Sequence, residues 1–438
     1  MADRFALAEV RLWGQTVGAL VERDQGGRRD SAREVTFEYD DAFRRSGLEI
    51  SPRHLPLSLR GPVRFDELRA SAFQGLPGVF ADSLPDAFGS SVIRAYYTAR
   101  GMTERVLSPV QHLLYVGERA VGALTFHPSE DVPVARAELE ALDLARLVVD
   151  ARSIIAGGGA DVAIPEIYRI GSSAGGMRPK AVVRYDPSDG SVYSAFGRAP
   201  EHALHAILKF DGVGSAGTPG EIGEPLPYNR VEKAYALMAR EAGLDVVDVT
   251  VIESDRGHAH LVIPRFDITP DGRLHQHTLG GLLHVDYNVV GASSYEEYLR
   301  TILSLGMGAG AVAEGFRRAV FNLVACNQDD HVKNLSFHMD RAGAWRLTPA
   351  YDVTFAMGSD FTATHQMRLA DRLGGHTLRD IRAFADEFGV RGQRAMVERI
   401  LDAVARWEEF AGASRVPAPA LRDVGAALRA RRARLLEG

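Results

Sequence analysis

The sequence predicts an α+β protein in which a strand-rich first part gives way to a predominantly helical remainder. Three observations carry that expectation. Apolar and polar residues alternate through short segments up to about residue 266, which is the period of half-buried strands. Beyond about residue 290 the apolar spacing lengthens to that of helices. Within the helical part, Asn327-Gln328-Asp329-Asp330-His331-Val332-Lys333-Asn334 interrupts the pattern with closely spaced acids and amides.

Composition narrows the class. A chain of 438 residues can hold two or three domains and a large core, and 46% hydrophobic with 25% charged residues is ordinary for a globular protein. The single cysteine, Cys326, excludes an intrachain disulfide framework and a cysteine-based zinc cluster, and reads as a small core residue. A net charge of −6 argues against autonomous nucleic-acid binding. The arginine run Arg429-Ala430-Arg431-Arg432-Ala433-Arg434 reads as a last helical turn meeting the helix dipole, with DNA or partner contact as the other reading. No apolar run approaches the roughly 18 residues of a membrane span. Met1 to Val10 carries early charges and no long apolar stretch, so no signal peptide is expected and the expected compartment is the cytoplasm.

The elements follow in order. Residues 5–22 alternate and break at Gly14, which predicts a hairpin, and Arg33 to Tyr39 repeats the pattern with Val35, Phe37 and Tyr39 on one face. Ala87 to Ala99 is a helical run, and Val116 to Phe126 reads as a further turn-connected strand pair. Leu139 to Ile155 has helical periodicity and stops at Gly157-Gly158-Gly159. Lys180 to Tyr185 and Ser191 to Phe196 flank the turn Asp186-Pro187-Ser188-Asp189-Gly190, and Ala206 to Phe210 is another strand. Residues 211–227 are rich in Gly, Pro and Ser and predict a mobile loop, followed by a helix from Tyr228 to Ala242. Leu261 to Asp267 is a strand running into a turn. Ser294-Tyr295-Glu296-Glu297 is a capping box opening a helix to Leu305. The stripe Phe316, Ala319, Val320, Leu323, Val324 delivers the chain to Asn327, and Leu335, Phe337, Met339 return through Trp345 and Leu347 as a hairpin. Residues 376–437 are mostly helix.

The chemistry concentrates after residue 326. Asp329 and Asn334 stand at D-x-x-x-x-N spacing, with Tyr351-Asp352 downstream, and that spacing equals the protein-kinase catalytic loop. Phosphoryl transfer needs a carboxylate to receive a hydroxyl proton, then an amide oxygen and a second carboxylate for Mg²⁺. Asp329 is the candidate catalytic residue, and Asn334 and Asp352 are the candidate metal ligands. A turn in which these side chains cap backbone groups is the structural reading of the same residues, and a metallohydrolase cluster of Asp329, Asp330, His331 and Asp352 is a third. Lys209, inside an apolar strand, is either on a solvent face or turned inward to phosphates, with Glu232 on the following helix as its ion-pair partner. The loop Gly171 to Lys180, containing Ser172 and Ser173, could cradle phosphates with backbone N–H groups or serve only as a connector. It is neither a Walker A motif nor G-x-G-x-x-G. Phe266 and Asp267 follow a strand where they could line an adenine slot. The pairs His258/His260 and His275/His277 lack a third metal ligand at a diagnostic distance and read as polar strand or loop positions, and His284 as a core or surface residue.

These pieces together resemble the HipA family of serine/threonine kinases, the toxins of type II toxin–antitoxin systems. The resemblance runs over nearly the full length, through Leu84-Pro85-Asp86, the Ser172 loop, Lys209, Arg265-Phe266-Asp267, Asp329 to Ser336 and Pro349-Ala350-Tyr351-Asp352. It implies a protein-kinase-like two-lobed fold: a small α+β N-terminal subdomain (1–125), a nucleotide-binding region (126–270) and a mostly helical C-terminal catalytic lobe (271–438). It implies ATP and Mg²⁺ as cofactors, with Asp329 catalytic and Asn334 and Asp352 on Mg²⁺. Lys209, Glu232, Arg265, Phe266, Asp267 and His331 would form the nucleotide site, and Ser172 or Ser173 would take an autophosphorylation. Asp330 stands where a glycine can occur in the family. The implied partners are a helix-turn-helix antitoxin (HipB-like), DNA mainly through that antitoxin, and a protein substrate such as an aminoacyl-tRNA synthetase, with no membrane. The other readings are a catalytically silent corepressor that binds the antitoxin, and a kinase-fold enzyme acting on a small molecule.

Overall fold

The computed structural model of the chain describes residues 5–23, 34–68, 71–99, 101, 107–129, 141–155, 178–213 and 223–437. The Ser172 loop, including Ser173, and most of the Gly/Pro/Ser-rich segment after residue 213 lie outside them.

The first alternating segments fold into an antiparallel sheet. β1 (Phe5–Leu12) and β2 (Gln15–Arg23) form the hairpin expected at Gly14, whose φ of 84° suits glycine. β3 (Glu34–Tyr39) joins β2, and β4 (Leu124–His127) joins β1, giving the order β3-β2-β1-β4. Val10, Leu20, Phe37, Phe80 and Phe126 bury their side chains between this sheet and its covering segments.

The expected strand pair over Val116–Phe126 does not form. Val116 instead closes the helix Pro109–Val116, and the only strand there is β4. The helix start was readable: Ser108 accepts from the Gln111 N–H while Gln111 reaches back, with Pro109 in the first position.

A second antiparallel sheet has the order β6-β5-β7-β9-β8, built from β5 (Lys180–Tyr185), β6 (Val192–Ser194), β7 (Leu204–Lys209), β8 (Thr250–Glu253) and β9 (Ala259–Pro264). One face packs on the helices Ala87–Ala99 and Leu144–Ile155, with Phe88, Val92 and Tyr96 sharing a core with Ala181, Val183 and Leu208. The helix Tyr228–Glu241 faces the other way. Its Tyr235 enters the core of the helical part, and its hydroxyl donates to Ala325 O at 2.8 Å.

Beyond it lies the helical part. Tyr295–Ser304, capped by Ser294 as predicted, packs with Ala309–Val324 and with the four helices between Leu378 and Glu437. A small sheet of His275–Thr278, Ser336–Met339 and Trp345–Leu347 carries the chain past the acidic loop and back. Among the described residues, no helix is long and apolar enough to cross a membrane.

Candidate active site

The site begins with strand register. β5 pairs with β7 so that Lys180 lies directly opposite Lys209, which puts both side chains on one face of the sheet. Lys209 Nζ donates to Glu232 Oε1 and Oε2 at 2.7 and 2.9 Å, and also to Asp352 Oδ1. Glu232 is buried on the helix Tyr228–Glu241. Asp352 comes from the segment after the Trp345–Leu347 strand and sits at a φ of 52°, a left-handed conformation that aspartate tolerates better than most residues. Burial alone would push the Asp352 carboxyl up, but the charges of Lys209 and Lys180 hold it below the usual carboxylate range. The same pairing lifts Lys209 above the ordinary lysine value despite its burial.

The loop after Ala309–Val324 supplies the rest. Asn334 Nδ2 donates to the Asp329 backbone oxygen at 2.9 Å, which closes the loop on itself and leaves the amide oxygen of Asn334 as the acceptor end. The Asp329 side chain is 42% exposed, with His331 Nε2 3.6 Å from Oδ1. Partial burial and the neighbouring Asp352 and Asp330 charges raise its carboxyl, against the pull of His331. Asp330 has other surroundings. It is buried and accepts from the Tyr295 hydroxyl (2.6 Å), His365 Nδ1 (2.8 Å) and the Gln366 N–H (2.7 Å). Thus the second acid of the pair anchors the loop while the first stays partly exposed.

A cavity of about 1050 Å³, including its open mouth, lies between the sheet and the loop. Its apolar end is formed by Val121, Ala123, Leu124, Ile207, Ile263 and Phe266, and its charged end by Lys180, Lys209, Lys333, Asn334 and Asp352. Such a cavity suits a flat apolar base at one end and phosphates at the other. Phe266 sits between the Tyr351 and His338 rings, at 5.5 and 5.6 Å. Arg265 and Asp267 also line the cavity, but their charges are committed to each other, with Arg265 Nε 2.9 Å from Asp267 Oδ1. Asp267 further accepts the Gly122 N–H at 2.8 Å, so this pair ties the end of β9 to the approach to β4. His331 is not among the cavity-lining side chains; it packs between Tyr287 and Phe361 beside Asp329.

The histidine pairs are structural. His275 and His277 are fully buried, His277 bridging Asp82 (2.6 Å) and Ser51 (3.1 Å), and His275 meeting Ile50 O at 2.9 Å. His258 meets Gly223 O at 2.6 Å and His260 accepts from the Asp211 N–H at 3.1 Å. Among the described residues, no cluster of three or more His, Cys, Asp or Glu side chains could hold a metal. An all-oxygen pair such as Asn334 and Asp352 is instead the donor chemistry of Mg²⁺, which takes one or two protein ligands and fills its octahedron with phosphate and water.

Sequence reasoning missed three contributors: Lys180, Asp82 and Asp86. Asp82 is buried against His277, the Thr278 N–H (2.8 Å) and the Thr278 hydroxyl (2.7 Å), and it too lines the cavity. Asp86 pairs with Lys180 at 3.6 Å. Only the strand register and the docking of the first 100 residues bring these groups to the site. The Leu84-Pro85-Asp86 stretch and the lysine ending the glycine-rich loop were visible, but nothing in their spacing connected them.

The architecture is that of a two-lobed, kinase-like fold with an additional N-terminal unit. A model of the HipA N-terminal domain matches residues 8–127, and one of the HipA-like C-terminal domain matches residues 172–409. The chain belongs to the HipA family. It is 24% identical over 390 residues to a protein of Sinorhizobium fredii, Y4dM, which is named as a kinase, covering 83% of this chain and 82% of that one. Its fold is similar to that of a chain from the Shewanella oneidensis MR-1 complex of HipA, HipB and operator DNA. There the TM-score is 0.63 at 17% identity, covering 98% of this chain and 96% of that one.

Proposed function

We propose that the chain is an ATP- and Mg²⁺-dependent serine/threonine protein kinase acting as the toxin of a toxin–antitoxin module. The observation that carries this is the meeting of Lys209, Glu232 and Asp352, from three distant segments, at the charged end of one cavity that Asn334 also lines. Glu232 holds Lys209 toward the cavity, where its ammonium would meet phosphate oxygens. Asn334 and Asp352 would hold Mg²⁺, which supplies charge neutralisation on the phosphates. Asp329, with its side chain 42% exposed and its carboxyl raised, would accept a proton from an incoming hydroxyl. The apolar end with Phe266 fits adenine. Catalysis then consists mainly of positioning and of charges fixed in advance.

By family membership, Ser172 or Ser173 is the site of autophosphorylation. A HipB-like helix-turn-helix antitoxin is the partner, in keeping with the HipA–HipB–DNA assembly of the Shewanella relative. A protein of the translation machinery, such as an aminoacyl-tRNA synthetase, is the substrate.

The test is incubation of the purified chain with Mg²⁺ and ATP, followed by intact-mass and phosphopeptide analysis. We expect one phosphate at Ser172 or Ser173 in the parent chain and none in Asp329→Ala. A parent chain that neither gains mass nor phosphorylates a protein acceptor overturns the proposal.

A further inference from the structure

The seam between the N-terminal unit and the rest of the chain is closed by uncharged imidazoles. His284, at the left-handed end (φ 54°) of the short helix Leu279–Leu283, accepts the Gly78 N–H through Nε2 at 3.0 Å. An accepting Nε2 carries no proton, so the ring is neutral for as long as that bond is made. His54 of the N-terminal unit lies flat on it, with ring centroids 3.9 Å apart and planes 9° from parallel. Phe65 and Phe73 of the same unit flank the His284 ring at 4.9 and 5.7 Å. The buried His54 Nε2 has no hydrogen-bond partner. A second proton on His284 would turn the acceptor into a donor aimed at the Gly78 N–H, and a proton on each ring would stack two cations. The backbone has no slack to absorb this, since a Cβ on Gly78 would already lie 2.1 Å from the Gly281 carbonyl oxygen.

The groups around the pair do not reverse this. Arg53, which has Glu297 3.8 Å away, and His277 both work against a charge on either ring, as each ring does on its neighbour. The opposing charges are Asp82, committed to His277 and Thr278, and the exposed Glu67. Asp286, two residues beyond His284, accepts the Ala72 and Asn288 N–H groups. Burial above all pushes His284 down to about 3, and it also lowers His54 although the Leu283 carbonyl favours the charged form. His275, in the same seam on Ile50 O, is likewise pushed down by burial to about 3.

We propose that this seam is a proton-operated latch: His54 and His284 hold the N-terminal unit on the core while both rings are neutral, and protonating them opens it. A released histidine takes its proton near about pH 6.5, whereas the docked rings resist it to lower pH. Opening therefore takes up protons. Docking is at full strength above about pH 6.5 and weakens as pH falls from there toward the docked values. Because Asp82 lines the cavity, opening the seam also removes part of the cavity wall. The inference does not depend on what the cavity binds.

The experiment is hydrogen–deuterium exchange of the full chain at about pH 7.5 and about pH 5.5, with protection taken relative to the unstructured rate at each pH. A histidine that titrates near 6.5 when released and stays neutral when docked shifts the opening equilibrium about tenfold over that interval. Protection of the seam peptides 72–82 and 275–286 should therefore fall by about tenfold to a hundredfold, while the helix Ala309–Val324 changes far less. His54→Phe keeps a stacked ring, and His284→Asn keeps an acceptor for the Gly78 N–H on a residue that tolerates the left-handed position. Neither replacement titrates, so the double variant should lose at least about tenfold of the parent's pH response at the seam. Should the double variant not fold, His54→Phe alone should still show a smaller response than the parent. A seam response as large as the parent's in the variants overturns the proposal. So does a parent whose seam is unprotected at about pH 7.5, or loses no more protection than the helix Ala309–Val324 on acidification.

Discussion

Lys209 and Asp352, 143 residues apart in sequence, share a hydrogen bond in the interior, and Glu232 on the helix Tyr228–Glu241 accepts from the same ammonium group through both carboxylate oxygens. Lys209→Met therefore strands two carboxylates in a buried setting. Removing one partner of such a pair typically costs about 3–5 kcal/mol, because the remaining charge keeps its desolvation penalty. We expect a lower denaturant midpoint in the ligand-free protein together with loss of phosphate transfer. A midpoint equal to the parent's would show that the three groups do not hold the two lobes together.

Asp329 and Asp330 should respond oppositely to alanine. Asp329 is joined to Asn334 through its backbone oxygen, which the substitution keeps, and its carboxylate is partly exposed. Asp329→Ala should lower transfer by about 10²–10⁴-fold while its melting temperature stays near the parent's. Asp330→Ala leaves the Tyr295 hydroxyl, His365 and the Gln366 N–H without their buried acceptor, and should cost about 3 kcal/mol or more. Thermal melts of the two variants side by side decide this. Similar melting temperatures would contradict it.

The same network has a pH signature. Burial works against the Asp330 carboxylate, but His365, Tyr295 and the Gln366 N–H hold it below its ordinary value of 3.8. A folded-state value below the unfolded one adds stability that is present above the unfolded value and is lost as pH falls through the folded one. The stability gap between the parent and Asp330→Asn should accordingly be full near neutral pH and shrink below about pH 4. Urea titrations from about pH 7 down to about pH 3 give the gap directly. A gap that widened on acidification would refute the assignment.

Gly78 marks where the N-terminal unit docks. A Cβ there would lie 2.1 Å from the Gly281 carbonyl oxygen, backbone against backbone, with no flexible side chain to yield. Gly78→Ala should destabilise by about 1–3 kcal/mol through overpacking. It should also weaken ATP binding, since Asp82 and Asp86 enter the site on the same stretch. Unchanged stability in a calorimetric melt would mean that this contact is not tight.

Much of the local structure was legible. The alternation of residues 5–22 became β1 and β2, the helical run Ala87 to Ala99 became that helix, and Ser294 capped the helix it was expected to open. These features are set by neighbours in sequence. The stretch Val116–Phe126 was misread because alternation over a few residues fits the end of a helix as well as a strand, and the Ser108-Pro109 cap that distinguishes them lies upstream. His275 and His277 read as polar strand or loop positions, and they are buried, because the acceptors that satisfy them, Ile50 O and Asp82, come from the N-terminal unit.

The sequence by itself determined the chemical inventory: which acids, amides and lysines stand at kinase-like spacing, and which short segments are strands or helices. That information is written in period and adjacency, over distances the backbone spans in one or two turns. Tertiary structure decided which of those groups meet. The β5–β7 register set Lys180 against Lys209, the different surroundings of Asp329 and Asp330 divided exposure from anchoring, and docking of the first 100 residues carried Asp82 to the cavity and Asp86 to Lys180. Burial then gave each charge its character, because a carboxylate or ammonium removed from water is governed by whatever partners the fold brings within a few ångströms.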